Sequence, residues 1–169
     1  MLSVKDLKRI AASFDRAGFE KQLGPFVLIH RPTTEFAHQQ SMKLGASKTV
    51  ALSPGSNRDK LSLLLQLDEC LVSTLPPMST GNQLLVGRMP DCEIVVDDPS
   101  VSKNHARLTW LPDQNFAMLE DLNSSNGTRV NGLEVKQSRP LNDADELSFG
   151  DARFCFLRTT SLHARLLGH

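Results

Sequence analysis

The interval Leu84–Gly132 reads LLVGRMPDCEIVVDDPSVSKNHARLTWLPDQNFAMLEDLNSSNGTRVNG. Short β-prone runs alternate in it with polar loops. Leu84–Val86 ends at Gly87-Arg88, and Glu93–Val96 is closed by Asp97-Asp98-Pro99. From His105 to Leu111 the chain alternates, with Ala106, Leu108 and Trp110 on one side and His105, Arg107 and Thr109 on the other. Pro112–Asn115 is a hairpin-type turn, and Phe116–Leu122 is a further strand. Asn131-Gly132 predicts a type I′ hairpin. Three polar pieces sit where these strands run out: Gly87-Arg88, Ser102-Lys103-Asn104-His105, and Ser125-Asn126-Gly127-Thr128. Their donors suit an anion.

Working outward, Glu146–Phe149 and Ala152–Leu157 flank a two-residue turn at Gly150-Asp151. Short strands separated by turns every 8–12 residues predict an antiparallel sandwich. Upstream, Leu61–Val72 fits either a buried helix or a strand. The strand is favoured because Leu61, Leu63, Leu65 and Leu67 share one side; Pro76-Pro77 then forces extended backbone or a turn. Lys48–Leu52 reads as a short strand and Ser53–Asn57 as a turn, which sets a boundary at residue 57.

Residues 3–23 carry an amphipathic pattern of three to four helical turns. Val4, Leu7, Ile10, Ala11 and Phe14 lie on one face, Ser3 with Asp6 forms a capping box, and Gly18 is a stop or kink. Its apolar stripe packs on its own chain or docks another protein. Pro25–His30 is a strand ended by Arg31-Pro32. Residues 1–57 therefore form either a small α/β unit or a wrap around the main domain. Residues 161–167 form one or two helical turns.

With 169 residues, 40% apolar and 22% charged content and zero formal net charge, the chain reads as a soluble globular protein. Balanced charge and the lack of a basic stripe with interleaved aromatics argue against nucleic acid. Neither a secretory leader nor an apolar run of membrane-spanning length is visible, so a cytoplasmic location is expected. Cys70, Cys92 and Cys155 are odd in number and widely spaced, as suits reduced thiols. No P-loop, metal cluster or paired-carboxylate motif points to an enzyme, and no cofactor or metal is expected. Ser102 and His105 could be imagined as nucleophile and base. A packed histidine bonding loop backbone fits better, because no nucleophile elbow or orienting third group is evident.

The ordered set Gly87-Arg88, Ser102-x-x-His105, Ser125-Asn126-Gly127-Thr128 and Asn131-Gly132 resembles the forkhead-associated (FHA) domain family over residues 84–157. The resemblance implies a mainly β fold: an FHA-like antiparallel β-sandwich of two twisted sheets over 58–158. It is preceded by a small N-terminal α/β extension over 1–57 and followed by a tail over 159–169. It also implies a phosphothreonine-peptide binding adaptor in serine/threonine kinase signalling or complex assembly. The expected partners are a phosphothreonine protein and a kinase or its substrate.

By position, the resemblance assigns phosphate contacts to Arg88 and Ser102, a further basic contact to Lys103, a donor to Ser125, and the peptide backbone to Asn126. Gly87, His105, Gly127, Asn131 and Gly132 are assigned to holding the loops. The residue types suit the task. A phosphothreonine brings nearly two negative charges and three acceptor oxygens, which a guanidinium fork and neutral hydroxyl donors satisfy.

Ser100 stands where some members carry a basic, peptide-selecting residue. The acidic residues Asp91, Glu93, Asp97 and Asp98 would favour a basic peptide if they faced the groove. Thr33, Thr34 and Thr49 are candidates for phosphorylation and capture by the pocket, in cis or in trans. The competing reading is a phosphate-independent interaction or dimerisation domain, using the sandwich edges or the 3–18 helix.

Overall fold

The computed structural model describes residues 2–30, 71–74 and 82–167. The expected strand at Lys48–Leu52, the boundary at residue 57, the Leu61–Leu67 run, Cys70, Pro76-Pro77 and the three N-terminal threonines lie outside these residues.

Two sheets face each other. The larger contains β1 (Leu2–Ser3), β2 (Phe26–His30), β3 (Leu71–Thr74), β8 (Thr128–Val130), β9 (Leu133–Glu134), β11 (Glu146–Phe149) and β12 (Ala152–Arg158), in the order β1-β3-β2-β12-β11-β8-β9. The smaller contains β4 (Gln83–Gly87), β5 (Ile94–Val95), β6 (Ala106–Leu111), β7 (Phe116–Asp121) and β10 (Arg139–Leu141), in the order β10-β7-β6-β4-β5. Alternate residues supply the interior. Ala106, Leu108 and Trp110 point in from β6, Ala117 and Leu119 from β7, and Phe154 and Phe156 from β12. Phe26 joins them, its ring 5.1 Å from Phe156 and 5.7 Å from Trp110. Each fully buried side chain of this size contributes about 2–3 kcal/mol.

The antiparallel expectation needs one correction: β4 and β5 run parallel, with Val86 opposite Ile94. The connection over residues 88–93 carries the chain round a full loop, so that it re-enters beside Val86 in the same direction. Strand β10 was not foreseen. Pro140 sits within it, which an edge strand tolerates because no neighbour needs its missing N–H.

The N-terminal segment is built into the larger sheet. Strand β2 lies between β3 and β12, with Phe26 opposite Arg158 and His30 opposite Phe154. Its unbroken apolar run, Phe26-Val27-Leu28-Ile29, reflects burial on both faces. Phe26 and Leu28 enter the sandwich interior, while Val27 and Ile29 face a second core beneath three helices. These are α1 (Val4–Ser13), α2 (Arg16–Leu23) and α3 (Thr159–Leu166). Within residues 2–30, the chain thus adds strands and helices to the larger sheet.

Ser3 and Asp6 form the predicted capping box. The helix break falls at Phe14-Asp15 rather than Gly18. Phe14 is extended and 43% exposed, and Asp15 caps α2 by accepting the Gly18 N–H at 2.9 Å. The stripe Val4, Leu7 and Ala11 is buried on the chain's own sheet. The tail is a helix fastened by the Thr159 hydroxyl donating to the Gly24 carbonyl at 2.6 Å, and by Arg158 forking onto Asp143 at 2.6 and 2.8 Å.

Candidate functional site

The C-terminal end of β4, the loop before β6 and the loop between β7 and β8 meet at one end of the sandwich. They enclose an open cavity of about 410 Å³. Arg88, Ser102, Lys103, Ser125 and Asn126 all line it, together with Ser100, Asn104 and Asn123.

Backbone contacts fix the first wall. Arg88 N–H donates to the Ser102 carbonyl at 3.0 Å and Met89 N–H to the Lys103 carbonyl at 3.3 Å. Gly87 is required by this approach, since a β-carbon there would stand 2.0 Å from the Lys103 carbonyl oxygen and 2.9 Å from Cys92 Sγ. Arg88 itself is exposed, and no carboxylate among the described residues pairs with its guanidinium or lines the cavity.

His105 ties the second and third loops. It is fully buried: β6 begins one residue later, and the ring packs edge-on to Phe149, 5.7 Å away. Ser102 N–H donates to His105 Nδ1 at 3.0 Å, so the ring proton sits on Nε2, which donates to the Gly127 carbonyl at 3.3 Å. Burial pushes the imidazole pKa below its usual value, against the Gly127 carbonyl and Asp121. Both ring nitrogens are spent on backbone and neither reaches the Ser102 hydroxyl, so the ring cannot serve as that hydroxyl's base.

Across the gap, Ser125 N–H donates to Ser102 Oγ at 3.0 Å, and Asn126 Nδ2 donates to the Ser100 carbonyl at 2.7 Å. Gly127, at φ +78°, takes a bond from Gly150 N–H on its carbonyl as well.

Two residues that organise the loops were missed from the sequence as such. Asp121 accepts Ser124 N–H at 3.1 Å, Ser124 Oγ–H at 2.6 Å and Thr128 Oγ1–H at 2.5 Å. Burial alone would raise its carboxyl pKa, but these bonds outweigh it and hold the group below the ordinary value. An Asp three residues before a Ser, at a strand end, is the turn signal that could have found it. Ser100 donates its hydroxyl to Asp98 at 2.6 Å and accepts Asp151 N–H at 2.9 Å, which explains why no basic side chain stands there.

The acidic residues do not face the cavity. Glu93 accepts Leu85 N–H, Asp98 is taken by Ser100, and neither Asp91 nor Asp97 lines the wall. Asn131 and Gly132 form the hairpin turn at φ +52° and +81°, and Asn131 donates to Asp145 at 2.7 Å, away from the cavity lining.

Residues 84–150 match the family model for the FHA domain. The chain carries an FHA domain. It is similar to the FHA domain-containing protein FhaA of Mycobacterium tuberculosis, with 36% identity over 53% of this chain and 16% of that protein. Similarity to the oxoglutarate dehydrogenase inhibitor of Corynebacterium jeikeium is 42%, over 42% of this chain and 47% of that one. The match thus spans less than half the length of either relative. A solved FHA domain studied for phosphothreonine-dependent interactions aligns over 52% of this chain and 83% of its own, at 30% identity and a TM-score of 0.45. Arg88, Ser102–Asn104 and Ser125-Asn126, one group from each of the three polar pieces, fall within the matched residues and line the cavity. Among the described residues no helix is long and apolar enough to cross a membrane, and no cluster of three or more potential metal ligands occurs.

Proposed function

We propose that the FHA domain binds phosphothreonine peptides at this cavity and acts as an adaptor in serine/threonine kinase signalling or complex assembly. The observation that carries the proposal is electrostatic. A guanidinium with no carboxylate partner among the described residues and the Lys103 ammonium share the cavity with two serine hydroxyls. A phosphate dianion supplies the missing charge and accepts from all four groups.

Arg88 is the fork donor. Ser102 is preset as a hydroxyl donor, because its oxygen already accepts the Ser125 N–H. Lys103 and Ser125 complete the ring, and Asn126 keeps its Oδ1 for the peptide. His105, Gly87 and Gly127 hold the walls in place, so little ordering entropy is lost on binding. The partner is a phosphothreonine-bearing protein, a serine/threonine kinase or its substrate, in the cytoplasm, where a buried reduced thiol such as Cys92 persists.

Docking through the apolar stripe of α1 loses its support, since that stripe is already covered. Calorimetry with a phosphothreonine peptide and its unphosphorylated twin tests the proposal. Binding is expected for the phosphorylated form alone, and Arg88→Ala is expected to abolish it with the fold intact. Equal affinity for the two peptides would sink the proposal.

A further inference from the structure

Three asparagines line the cavity, and they differ in what remains unspent. Asn126 gives one amide hydrogen to the Ser100 carbonyl at 2.7 Å. Asn104 takes the Cys92 thiol on its Oδ1 at 3.8 Å. Asn123 is exposed, and among the described residues its carboxamide has no hydrogen-bond partner.

The backbone at Asn123 is also unusual. Its φ is +55°, a left-handed conformation that costs a residue with a β-carbon about 1 kcal/mol and that glycine adopts freely. Asn131 is also left-handed, but it commits its side chain to Asp145 and to Glu146 N–H. Asn115 is left-handed in the β6–β7 turn, at the far end of the sandwich. At 123 the loop therefore keeps a side chain where glycine would be easier, and keeps it unpaired at the ligand cavity.

We infer that Asn123 is a further peptide-holding residue, pairing its carboxamide with the main-chain N–H and C=O of the peptide beside the phosphothreonine. A carboxamide has both the donor and the acceptor that one peptide unit requires. This rests on the phosphothreonine reading of the cavity. It makes the third loop a two-asparagine grip, with Asn126 already tied to the second loop and Asn123 reserved for ligand.

The test uses the full chain, a phosphothreonine peptide selected from an oriented library on the wild type, the unphosphorylated twin, and thermal melts. Asn123→Gly is expected to melt near the wild-type temperature, because glycine suits φ +55°, and to bind about five-fold more weakly or worse. Asn123→Asp also tolerates the backbone, but it places a carboxylate beside a dianion and is expected to bind more weakly still, with the loss shrinking as salt is raised. Both variants within about two-fold of wild-type affinity would overturn the inference. A wild type that fails to distinguish the phosphorylated peptide from its twin would instead remove the phosphothreonine reading itself, and Asn123 with it.

Discussion

Ser125 donates its backbone N–H to the Ser102 hydroxyl at 3.0 Å, joining two loops whose residues are 23 apart in sequence. The Ser102 hydrogen itself finds only a 3.5 Å contact with Ser125 Oγ, long for an O–H···O bond, and is free to turn to an incoming oxygen. Ser102→Ala therefore removes a ligand donor and a loop tie together. We expect phosphopeptide affinity to fall by about 1.5–3 kcal/mol, ten-fold or more, with a smaller loss of stability. Titration calorimetry beside urea unfolding separates the two effects. A loss of stability larger than the loss of affinity would show that Ser102 serves the loops first.

His105 makes a pH prediction. Its folded pKa is depressed, so the unfolded chain takes up the proton first as acidity rises. Stability is fully present above the unfolded value of about 6.5 and is lost as pH falls below it. Protonating Nδ1 also breaks its bond from Ser102 N–H. An NMR titration of the ring should show the Nε2–H tautomer persisting below pH 6.5, and peptide affinity should fall once the ring does titrate. A His105 ring titrating at or above 6.5 would contradict this.

Asp121 should matter without touching ligand. Asp121→Ala strands the Ser124 and Thr128 hydroxyls and one N–H, costing about 1–3 kcal/mol of stability. Because its folded pKa lies below the ordinary carboxyl value of 3.8, the stability it contributes is present above that pH and is lost as pH falls through the folded value. Acid unfolding curves of wild type and Asp121→Asn should therefore converge at low pH. Parallel curves would remove the carboxylate from the account.

Gly87→Ala is the harshest single methyl available at this site. Backbone, not a flexible side-chain end, stands 2.0 Å from the new β-carbon. Either β4 or the Ser102–Lys103 segment must shift, at a cost of about 1–3 kcal/mol, with Arg88 displaced along with it. Urea unfolding and peptide titration should both register the change; wild-type values in both would contradict the packing.

The motifs were legible because each carries local chemistry. Asn131-Gly132 announces a hairpin turn, Ser3 with Asp6 announces a cap, and Gly87-Arg88 announces a strand end. The partners of those motifs were not, because they come from elsewhere in the chain. Nothing near His105 tells that Gly127 will take its Nε2 proton. Asp98 and Glu93 looked like groove electrostatics, yet one is bound to Ser100 and the other to the Leu85 N–H. Likewise the run Phe26–Ile29 betrayed a strand but not its seat in the middle of the larger sheet, which depends on a partner 132 residues downstream.

That seat bears on the order in which the chain folds during synthesis. Phe26 pairs with Arg158, so β2 waits for a strand that is made long after it. Until β12 emerges, Phe26-Val27-Leu28-Ile29 has neither of its two apolar surroundings complete, and the larger sheet cannot close before that strand is made. The stretch 84–150 carries the recognisable motifs but stops short of both strands. Cut out alone, it would leave β11 with an open edge where β12 belongs, and aggregation of that fragment is the consequence to expect.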